Sequence, residues 1–199
     1  MSFEAFSLAS FITLASIAGI RVIYGEVCGF STRTANDVPP FLLKMDMEAL
    51  YGTFHPEAED NFRNSLPWPE FKRVQWKRFH LAIHYCNQIS HNAWVFSGWT
   101  RHERREGLDT LNKSLRKTVR ELNVACLQTR LSSFVIRTRL HWWLVRTALL
   151  PFAPPPSFNT LVRVGSSEMI SFYQNVIALA EVFSLAYGED YHQKLMEAL

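Results

Sequence analysis

The longest stretch of the chain without glycine or proline is LDTLNKSLRKTVRELNVACLQTRLSSFVIRTRLHWWLVRTALL, residues 108–150, which follows Gly107 and precedes Pro151. Its first half has an amphipathic helical pattern, with apolar side chains every three or four residues on one side and bases on the other. At about 1.5 Å per residue, an unbroken helix here would be roughly 65 Å long. Because that is long for a domain of this size, we expect a kink or break near Ser132–Ser133.

Glycine and proline also bound the other apolar segments, and alternation of period two is scarce. The sequence therefore predicts an all-α fold, an up-down helical bundle of three to four long helices with short accessory helices. The charged segment 98–107 is expected to be the turn that joins two antiparallel neighbours. The long helices are expected at about 3–24, 70–97, 108–150 and 167–187.

The composition fits a folded chain with one sizeable core, since 48% of the 199 residues are hydrophobic and 20% are charged. We predict an N-terminal apolar helix over 1–25, a connector with a short helix over 26–69, and a helical bundle domain over 70–199. The three cysteines are an odd number and form no C-x-x-C pair. A disulfide framework or structural zinc site is therefore not expected, and a reducing compartment is the simpler interpretation.

The segment 3–24 is the most apolar part of the chain, and residues 6–20 carry no charge. We predict that it anchors the protein in a membrane as a single pass. Lysine and arginine follow it and none precedes it, which favours a cytoplasmic C-terminal domain. The alternatives are a buried helix of a soluble cytoplasmic bundle or a signal peptide. The predicted anchor residues are Phe6, Phe11, Ile12, Leu14, Ile17, Ile20 and Tyr24.

Three histidines recur along one side of the predicted helix over 70–97. His80 and His84 lie one turn apart and could bind one metal ion together, whereas His91 is too far along the helix to join them. The ordinary interpretation is a wet or partly buried helix face whose histidines bond to backbone or acidic groups, and a pH-responsive or hydrogen-bonding role is a further alternative. A di-iron bundle requires two E-x-x-H motifs and further glutamates on facing helices, and the sequence has a single copy, Glu189 to His192, so we predict no cofactor.

The middle of the chain is basic, with 16 lysines and arginines but only four acidic residues between Phe71 and Arg163. Such a patch could be a solvated face, could contact anionic lipid headgroups or could bind a protein partner. Nucleic acid is not expected, because no helix-turn-helix or zinc-finger spacing is present. The bases predicted to contact an anionic surface or partner are Arg104, Arg105, Lys113, Arg116, Lys117 and Arg120.

The stretch 130–152 combines arginine with tryptophan, which is found at membrane interfaces and also in core helices with paired arginines. We favour the core helix, because apolar residues surround this part of the predicted helix instead of forming one stripe.

No phosphate-binding loop, nucleophile elbow, zinc-protease motif or EF-hand loop occurs in the sequence. The sequence therefore favours a non-enzymatic, membrane-tethered helical protein that acts as a scaffold or partner-binding subunit. Its expected contacts are an unidentified protein partner and, through the N-terminal helix, membrane lipid. The alternative is a soluble helical enzyme, or a ligand or metal sensor, that uses the histidine-lined helix face.

Overall fold

A computed structural model of the chain describes residues 33–55, 57–106, 113–149, 157–162 and 165–199. Within these ranges the secondary structure is helical and contains no strand, which confirms the all-α prediction. The predicted anchor over 3–24 lies outside the described residues. The helices are α1 (Met47–Phe54), α2 (Glu57–Ser65), α3 (Trp68–Glu106), α4 (Lys113–Leu149), α5 (Phe158–Val162), α6 (Ser166–Ser184) and α7 (Glu189–Ala198), with 3-10 turns at Ala35–Asp37, Pro39–Phe41 and Leu185–Tyr187.

Helices α3 and α4 are the two longest elements and pack against each other in opposite directions. Near the start of α3, the ring of Phe79 stacks on that of Trp143 with centroids 3.8 Å apart. Near its end, the Thr100 hydroxyl donates to Asn123 Oδ1 over 3.3 Å. The residue numbers of the contacting pairs increase along α3 while they decrease along α4. The two helices are therefore antiparallel, as predicted for a bundle. Helix α6 packs along α4 as the third long helix.

The structure contains neither the predicted turn from Gly98 nor the predicted break near Ser132–Ser133. The segment expected to form a turn from Gly98 is helical as far as Glu106, the last residue of α3. The neighbouring Trp99 is fully buried, and its packing offsets the roughly 1 kcal/mol that glycine costs inside a helix. Helix α4 also continues through Ser132, whose hydroxyl donates to the Gln128 carbonyl over 2.9 Å. That hydroxyl bonds to its own helix and causes no break.

The core extends along α3 and α4 as two clusters of buried side chains. One contains Phe79, Trp143 and Phe158, and the other contains Trp99 and Phe183. Full burial of each such side chain is worth about 1.5–3 kcal/mol. Because these buried aromatic residues are spread along α3 and α4, their packing stabilises the pair of long helices along its whole length.

The described part of the predicted connector packs on α3 and belongs to the same compact unit as the bundle, Arg33–Leu199. The Arg33 guanidinium lies 4.0 Å from the ring centroid of Phe41 and 4.9 Å from that of Trp94. Asp46 caps α1 by accepting a hydrogen bond from the Ala49 amide over 2.9 Å. Below 33 the connector lies outside the described residues.

Candidate contact surface on helix α4

Helix α4 has two apolar faces, and only one of them fills the core. The inner face is fully buried and includes Leu122, Ile136 and Leu140. The opposite face carries five apolar side chains that are between 36% and 53% exposed. We define the outer face of α4 by these five side chains and by the exposed bases that continue them along the helix. Its members are Val124, Leu131, Val135, Trp142 and Val145, together with Lys113, Lys117, Arg120 and Arg146.

The apolar residues of the outer face follow a heptad pattern. Val124, Leu131 and Val145 occupy one heptad position, and Val135 and Trp142 occupy the other. At about 1.5 Å per residue, the stripe from Val124 to Val145 is about 32 Å long. A stripe of two positions in seven is the seam along which two helices pack in a coiled coil. The outer face therefore has the spacing of a helix-binding surface.

The outer face is strongly basic. Its one acidic neighbour in the first half of α4 is Glu121, whose carboxylate lies 3.6 Å from the Lys117 ammonium. From Glu121 to Glu168 the sequence contains no acidic residue. Because the bases are exposed and share one sign, this side of α4 attracts anionic groups.

A groove between α4 and α6 opens beside the stripe. It has a volume of about 360 Å³. Val124 and Gln128 line it from α4, and Asn175 and Leu179 line it from α6. This groove lies beside the first part of the outer face. A side chain of a partner could insert into it.

The structure distributes the six predicted contact bases over two helix ends. Arg104 and Arg105 are exposed at the end of α3, and Lys113 begins α4. Because the two helices are antiparallel, these bases lie at the same end of the bundle. Lys113, Lys117 and Arg120 belong to the outer face, whereas Arg116 is half-buried.

The predicted metal pair lies elsewhere, on an exposed side of α3. His80 packs its ring against Trp76, with centroids 5.8 Å apart, and His84 is also exposed. His91, which the spacing excluded from this pair, bonds to the Phe41 carbonyl oxygen over 2.9 Å through Nε2. Among the described residues, no three histidine, cysteine, aspartate or glutamate side chains form a group that could hold a metal ion. A site formed by His80 and His84 stays a prediction.

A second cavity, a groove of about 750 Å³ lined by residues of α1, α2, α5 and α6, was not predicted from the sequence. Beside it, the buried carboxylate of Glu59 accepts hydrogen bonds from Ser157 Oγ over 2.7 Å and from the Asn159 amide over 2.8 Å. The guanidinium of Arg78 donates to the Thr53 carbonyl over 2.8 Å. Burial lowers the pKa of Arg78, and the charge of Glu59 opposes this shift. The nearest sequence signal was the acidic run in α2, which does not reveal that one carboxylate is buried.

Among the described residues, one segment is long and apolar enough to cross a membrane by length and composition, namely Ser166–Tyr187 with a mean hydropathy of 1.4. A core helix meets the same criterion, and α6 buries Met169, Tyr173 and Phe183 in the bundle. This segment is therefore weak evidence for a membrane span.

The chain is thus defined by its architecture, an antiparallel all-α bundle built on two helices of 39 and 37 residues. Comparison of the chain with protein-family models, curated proteins and solved structures gives no match.

Proposed function

We propose that this protein is a non-enzymatic helical scaffold, tethered to a membrane by residues 3–24, that binds a protein partner through the outer face of α4. The observation that supports this proposal is the second apolar stripe of α4. The inner face of α4 already supplies the core, whereas the side chains of this stripe keep between 36% and 53% of their surface exposed among the described residues. Exposed apolar side chains that recur along one helix face at heptad spacing are typical of a surface that packs against a partner helix.

Fractionation of the full-length protein tests the tether. The protein should sediment with membranes and stay with them after washes with high salt and alkaline carbonate. A variant with Leu14→Arg and Ile17→Arg should move to the supernatant, because charges inside an apolar span are costly. A matched variant with Ser10→Ala and Ser16→Ala should stay in the pellet. Unaltered protein that remains in the supernatant at physiological salt without detergent would contradict the tether.

Co-purification tests the contact surface separately from the tether. The substitution Val135→Glu places a charge on the outer face, and Leu81→Glu makes the same kind of change at an exposed apolar residue of α3. Both positions are exposed, so both variants should fold. After chemical cross-linking in native membranes, Val135→Glu should lose proteins that the unaltered chain and Leu81→Glu both retain. Identical sets of cross-linked proteins would show that the outer face binds no partner.

A further inference from the structure

We infer that the partner of the outer face is an acidic amphipathic helix. This inference rests on the proposed partner-binding function and adds the chemistry of the partner. Three features of α4 support it, namely the width of the apolar stripe, the sign of the charges around it and the groove beside it.

The stripe is narrow. At about 100° per residue, the five apolar side chains lie within about 80° of the helix circumference. Helices that lie in a membrane surface carry wider apolar faces with bulky side chains such as phenylalanine, leucine and tryptophan. Three of the five residues here are valines, and Trp142 is the one aromatic residue among them. The width therefore fits a helix seam better than a bilayer.

The charges determine which helix the seam accepts. Lys117 and Arg120 precede the stripe, and Arg146 follows its last apolar residue. Pairing two copies of this face would place bases beside bases, and like charges across an interface disfavour the complex. A helix with glutamate or aspartate beside its apolar positions would instead place opposite charges there.

The groove between α4 and α6 provides a binding place for the first turns of the partner helix. Its 360 Å³ volume adjoins Val124, where the stripe begins, and Arg120 and Glu121 lie at its edge. A leucine-sized side chain of the partner fits this concavity. Beyond Gln128 the partner would follow the stripe along α4.

A synthetic peptide tests the inference on the full-length protein held in nanodiscs of neutral phosphatidylcholine. The probe is a labelled peptide of about four heptads, with leucine at the seam positions and glutamate at the flanking positions. Its binding is followed by fluorescence anisotropy. A scrambled peptide and a peptide with lysine in place of each glutamate are the controls. We expect binding of the glutamate peptide alone, and its affinity should fall as the salt concentration rises.

Variants assign the binding to the outer face. Val135→Glu and Val145→Glu should each weaken binding at least about tenfold, and so should the double charge reversal Lys117→Glu with Arg120→Glu. Leu81→Glu should leave the affinity unchanged. Circular dichroism confirms that each variant keeps its helix content. Equal affinity for the glutamate and scrambled peptides, or for the unaltered protein and Val135→Glu, would overturn the inference.

Two other occupants give distinct results, and each would also overturn the inference. If the outer face binds a bilayer, vesicles rich in phosphatidylserine should compete with neutral ones for the protein, and Val135→Glu should abolish the preference. If it binds a second copy, light scattering should show a dimer that Val135→Glu dissociates.

If Val135→Glu removes cross-linked proteins but the glutamate peptide fails to bind, the partner-binding function stands and the acidic helix is wrong. If Val135→Glu changes none of these measurements, the proposed function itself fails.

Discussion

Replacement of Asn92 by alanine should remove the main polar attachment between α3 and the segment that precedes α1. The Asn92 amide is fully buried and makes three hydrogen bonds. Its Oδ1 accepts from the Leu43 amide over 2.9 Å, and its Nδ2 donates to the Leu43 carbonyl over 2.9 Å and to the Tyr173 hydroxyl over 2.8 Å. One side chain thus holds the backbone of an extended segment and also contacts α6.

The expected loss follows from these bonds. Each contributes about 1 kcal/mol net, and the buried Tyr173 hydroxyl left without this partner adds about 1–3 kcal/mol. We therefore expect Asn92→Ala to lower the free energy of unfolding by about 4–6 kcal/mol, a large part of the roughly 5–15 kcal/mol typical of a folded domain. Asn87 is the matched control, because it is exposed on the same helix and accepts one bond from Arg137 over 2.8 Å. Its replacement by alanine should cost about 0.5 kcal/mol or less.

Urea unfolding followed by circular dichroism measures both losses, and hydrogen exchange of the Leu43 amide locates the effect. Burial raises the pKa of Tyr173 to about 12, an effect that the hydrogen bond from Asn92 partly offsets. The phenol therefore stays protonated, and the loss should be constant between about pH 6 and pH 9. A loss for Asn92→Ala no larger than that for Asn87→Ala, or unchanged exchange at Leu43, would refute this reasoning.

Three further predictions concern the core and the histidines. Glu59→Ala should destabilise the protein by about 3 kcal/mol in urea unfolding, because it leaves the Ser157 hydroxyl and the Asn159 amide without their buried acceptor and removes a negative charge that acts on Arg78, and a loss below about 1 kcal/mol would contradict this. Burial raises the pKa of Cys86 and Cys126, so both thiols stay neutral at pH 8. No more than one of the three thiols should therefore react with a thiol reagent before unfolding, and two fast-reacting thiols would disprove their burial. His84→Ala should change stability by about 0.5 kcal/mol or less, since the side chain is exposed. Elemental analysis of both forms then tests the predicted metal pair, and stoichiometric metal lost in the variant would support the sensor alternative.

Glycine and proline made most of the fold predictable, because they mark where helices end. Helix α6 was expected at 167–187, and the structure gives α6 and one 3-10 turn that ends at Tyr187. Gly188 follows with a φ of 99°, a left-handed conformation that side chains disfavour. The same rule wrongly predicted a turn at Gly98, because the burial of Trp99 beside it keeps α3 helical. Glycine and proline mark helix ends reliably unless the packing of neighbouring side chains outweighs their local preference.

The contacts that join distant segments could not be predicted. Asn92 is 49 residues from Leu43, and Glu59 is 98 residues from Ser157. An asparagine in a helix or a glutamate in an acidic run gives no local sign that its side chain is buried. The second half of α4 was ambiguous for a related reason. Apolar residues surround the helix there, so periodicity alone does not determine which side faces the core.

A combined substitution on the outer face tests whether its apolar side chains contribute to the stability of the fold or to partner binding. We consider Val124→Lys, Leu131→Gln, Val135→Gln and Val145→Lys in one chain. All four side chains are between 37% and 53% exposed, so none of them belongs to the buried core. Lysine and glutamine also keep more rotamer freedom in a helix than valine, which is worth a few tenths of a kcal/mol per residue.

Urea unfolding should therefore place the combined variant within about 1 kcal/mol of the unaltered protein. A single Ile136→Gln on the inner face is the control, and it should cost about 3 kcal/mol or more because Ile136 is fully buried. If the combined variant unfolds as readily as this control, the outer stripe serves the fold and is not free for a partner. If it keeps its stability while losing the cross-linked proteins, the apolar residues of the outer face are there for contact, since nothing else in the described fold requires them.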